Sequence, residues 1–230
     1  MRADRRALVA CAIALAALLA GCMPKPRPAM PDAPPEFPRA YYEEAASKGL
    51  SVHRIDPQQS LVVIEVRRGG SLARLGHDHI VSARNVQGYV APDAGRADLY
   101  IALEELVVDE PALRKAAGFD TQPTAADIAS TRANMLEKVL EADKFPRALI
   151  GIERKGADRV TATVTLHGVT RALDVPARIA ADKDRTSVSG TLELNQTDFG
   201  ITPFSILGGA IQVQDRLVLA FTIHAAGKPE

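Results

Sequence analysis

The stretch RLGHDHIVSA, residues 74–83, holds the densest group of chemically able side chains in this 230-residue chain. His77 and His79 are separated only by Asp78, with Gly76 just before them. If the segment continues as a strand, residues i and i+2 share a face with roughly 6.6 Å between Cα atoms. Two imidazoles so placed could hold one Zn2+ or Cu2+ between them, but a tetrahedral site needs three or four protein ligands, or three and a water. The other histidines, His53, His167 and His224, fall in separate expected strands. General acid–base work is a second use, since an ordinary imidazole titrates near pH 6.5. It would need a nucleophile or a substrate carbonyl, and the chain has no G-x-S-x-G, no H-E-x-x-H and no Walker-type glycine loop. Two quieter readings stay open. The pair ties the rim of a β-structure together, or it touches the polar end of a bound molecule.

The N-terminus sets the compartment. Residues 1–22 read MRADRRALVACAIALAALLAGC. Arg2, Arg5 and Arg6 form a positive start, and the apolar run from Ala7 to Ala20 is shorter than the ~20 residues of a spanning helix. Leu19-Ala20-Gly21-Cys22 resembles the lipobox of bacterial lipoproteins. That resemblance implies removal of residues 1–21 and acylation of Cys22, palmitate-type chains included. Several chains at ~0.8 kcal/mol per buried methylene anchor a protein stably. Met23, where an Asp resembles an inner-membrane retention signal, implies outer-membrane sorting. The expected location is therefore the cell envelope, anchored to the outer membrane and facing the periplasm.

Seven of the 15 prolines lie between Pro24 and Pro38, so residues 22–49 read as the lipidated cysteine and an extended tether. A short helix is expected within it, from Tyr41 to Gly49. Cys11 falls in the removed segment and Cys22 is consumed by lipid, leaving no thiol for a disulfide or a thiolate metal site. The 28 basic and 28 acidic residues balance, there is no Trp and no basic stripe, and nucleic acid is set aside as a partner.

From residue 60 onward the pattern has period two. In DRVTATVTLH, residues 158–167, Val160, Ala162, Val164 and Leu166 share one face, with three threonines and His167 on the other. Val188, Gly190, Leu192 and Leu194 alternate with polar residues in the same way, as do Leu217, Leu219, Phe221 and Ile223. Weaker or fully apolar versions occur at 60–68, 84–91, 97–108, 147–154 and 171–181, giving about eight half-buried antiparallel strands. Residues 124–142 break the pattern. Ile128, Met135, Leu136, Val139 and Leu140 fall on one helical face, Thr124 is an N-cap candidate before Asp127, and Pro146 stops the run. The expectation is an all-β domain over residues 50–226 with one inserted helix. Eight strands close most simply into a barrel, which removes every edge.

The order of short motifs then becomes recognisable. Val52-His53-Arg54-Ile55-Asp56-Pro57 with Ser60, then Phe145-Pro146, Leu166-His167-Gly168-Val169-Thr170-Arg171, Asp198-Phe199-Gly200-Ile201 and Gln214-Asp215-Arg216-Leu217 follow one another across the domain. In that order they resemble the YceI-like family of periplasmic lipid-binding, polyisoprenoid-binding proteins. His53 replaces the family's usual aromatic, and the segment before Pro146 is shortened. The resemblance implies an eight-stranded antiparallel, lipocalin-like β-barrel whose apolar lumen holds an isoprenoid chain such as a quinone or polyprenyl lipid. It implies binding without catalysis, an apolar small-molecule or lipid partner, and no other cofactor. The lumen candidates are Val160, Val164, Leu166, Leu192, Leu219 and Phe221, with Phe199, Phe204 and Ile206 near one end. His77 and His79 are candidates for the ligand's polar end, or for a metal in the alternative reading of a metal-binding protein or metal-dependent enzyme.

Overall fold

Residues 37–227 are described by the computed structural model. The signal-like segment, Cys22 and most of the proline-rich spacer lie outside the described residues. The period-two segments form strands: β1 (His53–Ile55), β2 (Leu61–Val66), β3 (Arg68–Gly69), β4 (His79–Ala83), β5 (Val86–Ala91), β6 (Arg96–Ala102), β7 (Val107–Val108), β8 (Arg147–Arg154), β9 (Arg159–Leu166), β10 (Val169–Ala181), β11 (Arg185–Asn195), β12 (Ser205–Ile206), β13 (Ile211–Val213) and β14 (Arg216–Ala226). β14 pairs with both β1 and β2, β1 with β5, β2 with β4, β5 with β6, and β4 with β7. The short strands therefore run in line as three broken staves. With β8, β9, β10, β11 and β14 they make eight antiparallel staves, closed by the β1–β14 pairing. β12, β13 and β3 form a separate small sheet.

The motifs of the first stave owe their residue types to this break. Between β1 and β2 the Asp56 carboxylate accepts from the Gln58 N–H at 2.9 Å and the Gln59 amide at 2.7 Å, closing the turn. The Ser60 hydroxyl accepts from the His224 N–H at 3.0 Å and donates to its carbonyl at 3.3 Å. Together with the Asp56 N–H, 2.8 Å from the same carbonyl, this side chain satisfies the β14 backbone at the break between β1 and β2. His53 does comparable work at 1% exposure, its Nδ1 2.8 Å from the Thr186 hydroxyl and its Nε2 3.0 Å from the Lys183 carbonyl.

Three expectations need correction. The strands expected at 60–68 and 84–91 leave the RLGHDHIVSA stretch between them, whereas from His79 it is itself β4, whose residues His79 to Ala83 pair with β2. His167 is not on a strand face. It and Gly168 are the turn of the β9–β10 hairpin, both at positive φ (52° and 75°), as a two-residue primed turn demands. The third concerns the expected spacer. Residues 39–47 form α1 (Arg39–Ser47), which packs on the outer wall rather than hanging free. Tyr42, 2% exposed, stacks on Tyr89 and donates to Asp98 Oδ2 at 2.6 Å, while Phe37 meets Tyr100 edge-on. Burial and the Asp98 carboxylate push the Tyr42 hydroxyl pKa up. Tyr42→Phe is expected to cost about 2 kcal/mol in urea unfolding, since a hydrogen bond to a charged acceptor is lost. A variant as stable as the parent would show that α1 is held by its aromatic contacts alone.

The helical insertion is where the sequence placed it, with a short helix added before it and its last turn widened. α2 (Pro111–Ala116) follows β7, and α3 (Ala125–Asn134) opens with Thr124 and Asp127 in a reciprocal capping box. Residues Met135–Val139 then widen into a π-helical turn, with the Leu140 N–H bonded to Met135 O at 2.8 Å. The wider turn shifts the register by about one residue. It keeps Met135, Val139 and Leu140 on the side that faces the barrel interior.

Candidate functional site

Alternation along every stave turns its apolar face inward, and the faces do not meet. They enclose a cavity of about 590 Å3. Its wall takes Val62 and Ile64 from β2, Leu99 and Ile101 from β6, Ile150 and Ile152 from β8, and matching valines, leucines and alanines from the other staves. The volume lies inside the ~300–1,000 Å3 range of small-molecule sites. A hollow of about 670 Å3 over Leu61, Val63, Pro176 and Thr222 lies on the outside of the wall instead, where it is shallow and open.

Every lumen candidate from the sequence lines the inner cavity: Val160, Val164, Leu166, Leu192, Phe199, Phe204, Ile206, Leu219, Phe221, His77 and His79. Among the described residues, polar lining occurs only at the two ends. Arg96, Arg154 and Thr186 belong to the end where β5 passes into β6. His77, His79, Thr131, Asn134 and Gln212 belong to the opposite end, where β2 finishes against His79 and the small sheet and α3 begin to cover the barrel. Leu75 and Ile206 stand exposed at this end, as does neighbouring Leu207, the last held at φ 51° beside Gly208 and Gly209.

The imidazoles are positioned with care. His79 Nδ1 donates to Asp109 Oδ2 at 2.6 Å, and the Asp109 side chain has no exposed surface. Asp109 also accepts from the Ile80 N–H at 3.0 Å and from Arg114 Nη1 at 2.6 Å. It sits at φ 59°, a left-handed conformation that Asp tolerates better than most residues. Burial by itself would raise the Asp109 pKa. The donors from His79, Ile80 and Arg114 outweigh it and hold the carboxyl below its usual range. Arg114 is itself buried, donating to the Asp78 and Thr121 carbonyls at 2.5 Å each. His77 stands beside His79 with ring centroids 6.0 Å apart and planes nearly perpendicular. Asp78, between them in sequence, turns away to accept from the Arg68 N–H at 2.9 Å.

Asp109, Arg114, Thr131 and Asn134 went unnoticed in the sequence. Asp109 lies 30 residues from His79, and only the β4–β7 pairing brings the two together. Among the described residues, no three His, Cys, Asp or Glu side chains gather as a metal site. His77 and His79 remain two ligands without a third, which removes the geometric support for the metal alternative.

The family model for the YceI-like domain matches residues 53–225. The chain belongs to this family. Among solved structures, it is similar to a polyisoprenoid binding domain from Saccharophagus degradans implicated in plant cell wall breakdown. That likeness has a TM-score of 0.56 at 14% identity, covering 78% of this chain and 99% of that one. BcnA of Burkholderia cenocepacia is similar with a TM-score of 0.53 at 16% identity, covering 74% of this chain and 99% of that one. Both likenesses concern the fold, the closed eight-stranded antiparallel barrel. No curated protein matches the chain. No helix among the described residues is long and apolar enough to cross a membrane.

Proposed function

We propose that this YceI-like protein binds a long apolar ligand, an isoprenoid such as a quinone or polyprenyl lipid, inside its barrel. We extend the reading to an envelope lipoprotein, anchored through acyl chains on Cys22 to the outer membrane and facing the periplasm. The observation that carries the ligand reading is the lumen. All eight staves line it with apolar side chains, and no charged group intrudes between its ends. At roughly 30 Å3 per water-sized group, its volume of about 590 Å3 holds on the order of twenty methylene-sized groups. Each one transferred from water gains ~0.8 kcal/mol, so a chain of that length binds with no charged contact at all. The relative from Saccharophagus is described as binding polyisoprenoid, which supports the same class here. The anchor reading rests on the lipobox resemblance and on the proline-rich stretch that follows it.

The test is organic extraction of the full chain purified from its native host, followed by mass spectrometry of both extract and protein. A stoichiometric prenyl lipid and an acylated Cys22 are expected. Repeated preparations with an empty barrel sink the ligand reading, and an unmodified N-terminus sinks the anchor.

A further inference from the structure

We propose that His77 and His79 form the head-recognition site of the lumen, and that they select an uncharged head bearing a hydroxyl: a long-chain alcohol, phenol or quinol. The proposal rests on the reading of the lumen as a chain-binding tube and adds what the polar end of that chain must be.

The site is asymmetric by design of its hydrogen bonds. The Asp109 carboxylate can only accept, so the His79 proton it holds is on Nδ1. In the neutral ring, Nε2 is then left as a fixed lone pair, in the way a carboxylate sets the tautomer of a histidine that serves a ligand. His79 lines the lumen, and among the described residues no hydrogen-bond partner is found for its Nε2 or for either nitrogen of His77. What faces the cavity is therefore an acceptor beside a second imidazole. Thr131 and Asn134, one turn apart on α3, line the same end.

Charge decides against an anionic head. Among the described residues no lysine lines the cavity, and the one arginine that lines this end, Arg68, is already committed. Its guanidinium binds both Asp120 oxygens at 3.0 Å and the Gly76 carbonyl at 3.2 Å, and lies 3.9 Å from Asp78. Arg114 is spent on Asp109. On the opposite side, the Asp127 carboxylate, held low by the Thr124 hydroxyl and backbone, feels both imidazoles. Among the described residues that line this end a phosphate or pyrophosphate would meet no uncommitted cation, since the exposed Arg74 beside Leu75 is not part of the lining, and it would have an acidic neighbour in Asp127. A carbonyl or ether can accept from His77 or Asn134 but meets the Nε2 lone pair with no proton to share. A hydroxyl donates to Nε2 and still accepts from His77 or Asn134.

Displacement of a bound fluorescent apolar probe from the delipidated full chain, at pH 8, separates the possibilities. Geranylgeraniol, its methyl ether and geranylgeranyl phosphate share one chain of twenty backbone-plus-branch carbons and differ only at the head. The alcohol is expected to bind about tenfold more tightly than the ether, the effect of one added hydrogen bond, and more tightly than the phosphate. His79→Ala should bring the alcohol to the level of the ether while leaving the ether unchanged, whereas His77→Ala removes a donor open to either oxygen and should weaken both while keeping the preference. Retained ether binding by His79→Ala guards against a folding defect, because a collapsed barrel would lose the ether as well. Equal binding of all three by the wild type, or a preference that survives His79→Ala, overturns the head site and leaves the chain-binding reading standing. Tightest binding of the phosphate overturns it in favour of a cationic site. Failure of all three to bind removes the tube and the head site together.

Discussion

Asp109→Ala should lower the unfolding free energy by about 3–5 kcal/mol, the usual cost of leaving a buried charge without its partner. The substitution strips three donors at once: His79 Nδ1, the Ile80 N–H and Arg114 Nη1. Arg114, only 10% exposed at its side chain, would keep its charge with no carboxylate against it, only the Asp78 and Thr121 carbonyls, the Thr121 hydroxyl and the Phe119 ring. Alanine at φ 59° adds backbone strain that Asp avoids. Asp109→Asn tolerates the same backbone and should cost less. Urea unfolding of both variants measures the difference, and a loss below 1 kcal/mol in Asp109→Ala would mean the network contributes no net stability. The pH dependence follows in sign from the same contacts. The folded-state pKa of Asp109 is depressed, so its contribution is fully present above the unfolded value near 3.9 and fades as pH falls through the lower folded value. Wild type should therefore lose stability below about pH 4 more steeply than Asp109→Asn does.

That network also marks where sequence reading stops. The lumen was legible because alternation with period two is a local property. Once Val160, Val164 and Leu166 share a face and the strands close, that face has only one interior to point into. The capping box of α3 was equally local, three residues from Thr124 to Asp127. The partners of His79 were not, since Asp109 and Arg114 reach it through the β4–β7 pairing and the helix that follows. β7 is only two residues long and carries no alternation to announce itself. The docking of α1 was hidden for a similar reason. A proline-rich segment followed by YYEEAA reads as solvated spacer, and only the Tyr89, Asp98 and Tyr100 side chains on the outer wall make it part of the domain. His167 shows the reverse error, an alternation carried one residue too far into a turn whose positive φ overrides it.

Filling the lumen from within should weaken chain binding steeply without harming the fold. Ala162 sits midway along β9, 6% exposed, cross-strand from Ile152 and Leu173, and it lines the cavity. In Ala162→Phe the ring occupies space equivalent to about four methylene groups of ligand. At ~0.8 kcal/mol each, their displacement forfeits roughly 3 kcal/mol, about a hundredfold in affinity. The lumen already has the room, so the overpacking cost of a dense core should be largely avoided and the melting temperature should hold or rise. Thr163→Phe is the control: it places the same ring one residue on, on the exposed outer face of the same strand. Lipid recovered from the native host should fall steeply for Ala162→Phe and stay at the wild-type level for Thr163→Phe. If both variants fold and carry equal lipid, the chain is not inside the barrel, and the outer hollow beside Pro176 and Thr222 becomes the place to look.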